Sequence, residues 1–252
     1  MELARKAGLV AGFLLGPLAA AGARARMSRL FHPTGVVYRA SVRPLAAFDS
    51  DPALSQDLAG PALVRLSAAW WKQREWPDVL GVAIRFRRSW QVDAEREPDD
   101  FDLLLATVRK PWTTLLAPLT TRQHDFLAND YYGVSPFRSA GQGVVDLRLV
   151  SESRARGPRA DRWAKLDWAV ERGLGAFRLE VRAGRSAWRP IARVTLVERV
   201  KVDQARLRFS PWLAGRGLSP AGFVQAMRPA AYLLAQAARG VTSSPRPSPP
   251  SP

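Results

Sequence analysis

The 252-residue sequence contains no cysteine, so disulfides, thiolate nucleophiles and cysteine-based metal centres are all excluded. With only two histidines, His32 and His124, there are too few imidazoles for a multi-histidine metal site. No glycine-rich phosphate loop, zinc-protease helix or serine nucleophile elbow is present. Lysine is scarce as well. Lys6, Lys72, Lys110, Lys165 and Lys201 are the only five among 38 basic residues, and the rest are arginine.

What is abundant is positive charge, a formal +16, carried by the side chain whose rigid fork suits carboxylates and phosphates. A mutational bias toward arginine and alanine codons accounts for this as readily as selection does. The charge is spread along the whole chain with no compact basic block. That pattern implies no specific nucleic-acid partner, but a surface that attracts anions. Hydrophobic residues at 47% and charged residues at 24% are ordinary for a folded protein, and the length suits one large domain.

The start, MELARKAGLVAGFLLGPLAAAGARAR (residues 1–26), has a basic beginning, an apolar stretch and AGA at Ala21 to Ala23. It has the outline of a secretory signal or a short membrane anchor, although Glu2, Pro17 and the trailing arginines suit an ordinary packing helix equally. A cytoplasmic location is expected, with weak membrane association or export through this segment left open. The end, residues 241–252, is rich in proline and serine and is expected to be a disordered tail. The middle, residues 27–240, is expected to fold as one domain.

In GVVYRASVRP, Val36, Tyr38, Ala40 and Val42 alternate with Val37, Arg39, Ser41 and Arg43. In AFRLEVRAG, Phe177, Leu179 and Val181 oppose Arg178, Glu180 and Arg182. VLGVAIRFR, FDLLLATV, GVVDLRLVS and PIARVTLVERV complete a set of short strands. Trp163, Leu166, Ala169 and Val170 form a helical stripe in DRWAKLDWAVERGL. A further helix is expected from the Ser219–Pro220 signal to Gly240, interrupted at Pro229. Many strands with few crossover helices predict an α+β chain whose core is an antiparallel sheet or barrel with appended helices. Trp70, Trp71 and Trp76 are expected in its core.

Three groups of residues are candidates for chemistry. His32 follows Arg29 by three in SRLFHPTGVVY, and Arg65 and Ser67 share one side of the extended stretch ALVRLSAA. Arg228, Tyr232 and Arg239 recur on one helical face. Tyrosine is a poor metal ligand near neutral pH, because its unperturbed pKa is about 10, and a cation one helical turn away favours the phenolate.

In order along the chain, SRLFHPTGVVY, ALVRLSAAWWKQREWPDVLGVAIRF, FDLLLAT and FSPWLAGRGLSPAGFVQAMRPAAYLLAQAAR resemble four segments of the haem-dependent catalase superfamily. NDYYGVSPFR resembles a fifth. The resemblance spans about residues 27 to 240 and implies a minimal catalase-like fold holding haem b. It implies Tyr232 as the axial iron ligand, with Arg228 keeping it a phenolate, and Arg29, Arg65 and Arg239 facing the haem propionates. His32 would lie over the opposite haem face and move a peroxide proton, with Ser67 fixing its tautomer.

Three departures from the family pattern stand out. Thr107 occupies the position of an asparagine whose amide helps to orient peroxide, Phe31 replaces a smaller residue beside the histidine, and the residues that follow the ligand tyrosine in true catalases are absent after Tyr232. The implied function is therefore that of a peroxidase-like or hydroperoxide-rearranging oxidoreductase with weak catalase activity. Its partner would be a small-molecule peroxide or hydroperoxide, and oligomerisation is left open. A haem-binding or sensor protein without turnover is the alternative, and an anion-binding basic protein without haem is a third.

Overall fold

A computed structural model describes residues 34–45, 52–71, 74–109, 116–153, 158, 160–204, 206–211 and 213–221. Ten antiparallel strands run through them. They are β1 (Thr34–Pro44), β2 (Gly60–Ala68), β3 (Leu80–Phe86), β4 (Phe101–Ala106), β5 (Asp130–Gly133), β6 (Phe137–Ser139), β7 (Gly143–Ser151), β8 (Ala176–Ala183), β9 (Arg189–Val200) and β10 (Leu218–Pro220). Three α-helices accompany them: α1 (Pro52–Asp57), α2 (Ala117–Thr120) and α3 (Arg162–Glu171).

Eight strands close on themselves in the order β7-β5-β4-β3-β2-β1-β9-β8, because β8 pairs back onto β7. Closure leaves no long unpaired edge. β5 and β6 share one side of β7, and β10 adds to β6. The expected α+β chain with an antiparallel barrel core and appended helices is what forms.

Alternation decides which side chains fill the barrel. Val36, Tyr38, Ala40 and Val42 from β1, Ala62, Val64 and Leu66 from β2, and Phe177, Leu179 and Val181 from β8 all join one buried core. The intervening residues, Val37, Arg39, Arg65, Arg178 and Arg182 among them, face outward. Phe86, Phe101 and Phe137 pack in series, with ring centres 5.8 and 6.0 Å apart. Leu54 and Leu58, at α1 and just past it, and Leu166, Ala169 and Val170 of α3 add to the same core.

α3 starts where expected. Asp161 caps it by accepting from the Trp163 and Ala164 amides at 2.9 Å each, and the turn after it passes through Gly173 in the left-handed region.

Two expectations need correction. Ser219 and Pro220 do not open a helix but lie in β10, where Ser219 pairs with Arg138 of β6. The Ser-Pro pair reads equally as an edge strand, where proline's missing amide costs nothing. Trp70, Trp71 and Trp76 are not core residues. They stand on the β2–β3 connection and are exposed, because the barrel's interior is already filled by the alternating strand positions.

Among the described residues no helix is long and apolar enough to cross a membrane. The segments 1–26 and 241–252 lie outside the described residues.

Candidate functional site

Of the eight residues singled out from the sequence, Arg65, Ser67 and Thr107 are described. Arg29, His32, Arg228, Tyr232 and Arg239 lie outside the described residues.

Arg65 and Ser67 sit two apart on β2, so both point to the barrel's outer face. Each is nonetheless buried. Part of the covering is the segment after β9, where Leu207 packs on Val37 and Leu63. From this segment Gln204 accepts from Arg65 Nε at 3.3 Å and donates to the Gly35 carbonyl at 2.7 Å.

Gly35 is part of the same arrangement. A Cβ there would lie 2.7 Å from the Arg65 Cζ and 2.6 Å from the Leu66 carbonyl oxygen, so the guanidinium lies where only a glycine leaves room. Across the sheet, Gly35 opposes Ser67, Ser67 opposes Gly81, and Gly81 opposes Ala106. The Ser67 hydroxyl donates to the Gly81 carbonyl at 3.4 Å. This row across four strands carries no side chain larger than serine. All four residues are buried, and the Arg65 guanidinium lies against Gly35 at the end of the row, a charged fork of the kind that pairs with a carboxylate. The row and the cation fit a planar dianionic group such as haem.

The segment that carries Gln204 is itself anchored by a buried ion pair. Arg85 of β3 meets Asp102 of β4 in a fork, at 2.8 Å from Nε and 3.0 Å from Nη2, and also donates to the Arg208 carbonyl. Asp102 accepts from the Ser210 amide at 2.9 Å. Both side chains are fully buried. Gln204, Gly35 and this pair escaped the sequence reading. Gln204 is 139 residues from Arg65, and nothing local to it signals the contact.

Thr107, just past β4, belongs to a different group. Its hydroxyl oxygen accepts from the Leu80 amide at 3.1 Å and lies 2.8 Å from the Thr121 hydroxyl, which donates to the Ala117 carbonyl at 2.7 Å. It borders a pocket of about 360 Å³ with Arg109, Thr120, Arg122, Asp130 and Tyr132. Among the described residues no cluster of three or more His, Asp or Glu could hold a metal ion.

No family model matches the chain, and no curated protein does either. Solved structures do match. The fold is catalase-like. A fungal catalase superposes with a TM-score of 0.56 at 13% identity, covering 87% of this chain and 61% of its own. Catalase A from Saccharomyces cerevisiae gives 0.54 at 12% identity, covering 87% of this chain and 63% of its own. The chain thus spans less than two thirds of the length of these catalases. On the catalase-like barrel, Arg65 and Ser67 lie together on the outer face of β2 and Thr107 lies apart, in the threonine pair beside the pocket.

Proposed function

We propose that the chain is a haem b protein of catalase-like fold that acts on a peroxide or an organic hydroperoxide, as a peroxidase or a hydroperoxide-rearranging enzyme more than as a fast catalase. The observation that carries this reading is the burial of Arg65 beside Ser67 and a small-residue row on the outer face of a catalase-like barrel. The motifs in the sequence supply the rest of the site. Bound haem would bring a redox-active iron to the substrate's O–O bond.

Around it, Tyr232 would hold the iron, and Arg228 would keep the phenol deprotonated. Arg65, Arg29 and Arg239 would pair with the propionates. Ser67 would fix the His32 ring so that its nitrogen can take a proton from the peroxide and return it. Expression with haem supply should give a Soret band that changes strongly in Tyr232→Phe. A spectrum unchanged in that variant removes the ligand assignment.

The second reading is a haem-binding or sensor protein without turnover, and the Thr107 geometry favours it. Where the related segment carries an amide donor, this hydroxyl is engaged by the Leu80 amide and by Thr121. Haem uptake with no peroxide-dependent oxidation, and no effect of His32→Ala on any such reaction, would select this reading.

A further inference from the structure

Five large apolar side chains stand exposed on two neighbouring elements. Trp70, Trp71 and Trp76 lie on the β2–β3 connection, and Leu116 and Leu119 flank and form α2. Leu119 is 74% exposed, Leu116 59%, Trp76 49% and Trp70 45%. Tryptophan and leucine at such exposure are costly in water unless something meets them.

The two elements meet. Ala69, next to Trp70, and Ala117, next to Leu116, share a small buried cluster with Val79 and Ala106. The Arg162 guanidinium ties the two stretches together, donating to the Trp71 carbonyl at 2.6 Å and to the Gln123 carbonyl at 3.3 Å. The stretches that carry the five side chains therefore adjoin.

The tryptophans are held out by built structure. The buried Asp78 carboxylate accepts from the Trp70 amide at 3.1 Å, the Trp71 amide at 3.0 Å and the Val79 amide at 2.7 Å. Trp71 and Trp76 pack edge to face with centres 5.0 Å apart, and the Arg74 guanidinium lies 4.7 Å over the Trp76 ring. Arg109 and Arg122 line the pocket that also takes in Thr120 of α2. Arg74, Arg109 and Arg122 thus stand near the apolar side chains together with the Glu75 and Asp130 carboxylates, on a protein whose formal charge is +16.

We propose that this tryptophan–leucine patch docks the protein peripherally on an anionic lipid bilayer. Several features favour lipid over a protein partner. Leu119, Leu116, Trp76 and Trp70 are each at least 45% exposed, which suits insertion into a yielding headgroup layer. Indole rings prefer that boundary, where the ring is apolar and its N–H stays wet. Arginine extends from the same depth toward lipid phosphates, and a basic protein is drawn to an anionic leaflet. Both test variants leave the sequence of the apolar segment within residues 1–26 intact.

The test is co-sedimentation of the full chain with vesicles of phosphatidylcholine alone and of phosphatidylcholine with phosphatidylglycerol. Leu119→Asp and Trp70→Ser are compared with the unaltered protein after far-ultraviolet circular dichroism has shown both folded. They lie on different elements, so a fold defect in one does not cost the experiment. The expected result is binding to the anionic vesicles that weakens with salt and falls about tenfold or more in each folded variant, with tryptophan fluorescence quenched by brominated lipid. Three outcomes overturn the proposal: no binding by the unaltered protein, equal binding to neutral vesicles, or binding unchanged in both variants. The first would leave a protein partner as the occupant of the patch, and the last would assign binding to another part of the chain.

Discussion

Replacing Arg85 by methionine removes the cation from a fully buried pair and leaves the Asp102 carboxyl without its partner. The lost contacts include the two-pronged bond at 2.8 and 3.0 Å, the donations to the Arg208 and Ala94 carbonyls, and the approach to the buried Asp100 carboxylate at 3.9 Å. Breaking one side of such a pair costs about 3–5 kcal/mol, because a desolvated charge is stranded. With a urea slope of about 2–3 kcal/mol per molar, the unfolding midpoint should drop by about 1–2.5 M.

Removing both charges in Arg85→Met/Asp102→Leu should recover most of that loss, because the pair's attraction roughly offsets its own desolvation. The recovery is incomplete, since the Ser210 amide loses its acceptor, which costs about 1–3 kcal/mol. Urea denaturation of the three variants in a double-mutant cycle measures the coupling. A single variant that loses less than about 1 kcal/mol, or a double variant that loses the sum of both singles, would refute the reasoning.

Gly35→Ala should destabilise the protein by about 1–3 kcal/mol and displace the Arg65 guanidinium, since its Cβ would fall 2.7 Å from Arg65 Cζ. In haem-supplied protein it should also lower haem retention on gel filtration, whereas haem retained as in the unaltered protein would argue against Arg65 as a propionate partner. Burial and the hydrogen bond donated to Asp167 push the Tyr38 phenol well above its ordinary pKa. The folded state therefore keeps its proton where the unfolded chain loses it. The associated stability is complete below about pH 10 and declines above it, by up to about 1.4 kcal/mol per pH unit. Tyr38→Phe should lessen that decline in urea midpoints taken between about pH 9 and 11, and an unaltered slope would exclude the phenol as its source.

Much of the barrel was legible because strand alternation is a local signal. Val36, Tyr38, Ala40 and Val42, and likewise Phe177, Leu179 and Val181, could be assigned to one face from spacing alone, and the core uses them so. The stripe of α3 was equally local. Short strands such as β6 and β10 were not, since three residues hold too little pattern to separate strand from loop or helix start. The tryptophans were misplaced for a related reason. Composition says that tryptophan is usually buried, but a closed barrel has only so many inward positions, and the connection that carries Trp70, Trp71 and Trp76 supplies none of them.

By itself, the sequence determined the strand faces, the stripe of α3, the placing of Arg65 and Ser67 on one side of an extended segment, and the exclusion of cysteine and multi-histidine chemistry. Those are consequences of residue type and spacing, which act over a few residues. Tertiary structure alone decided that β8 returns to β7 and closes the barrel, that Gln204 reaches Arg65, that Arg85 and Asp102 share a buried fork, and that the tryptophan loop meets α2. These depend on contacts between residues far apart in the chain. Which distant partners meet is set by the packing of the whole barrel and by no single stretch of it.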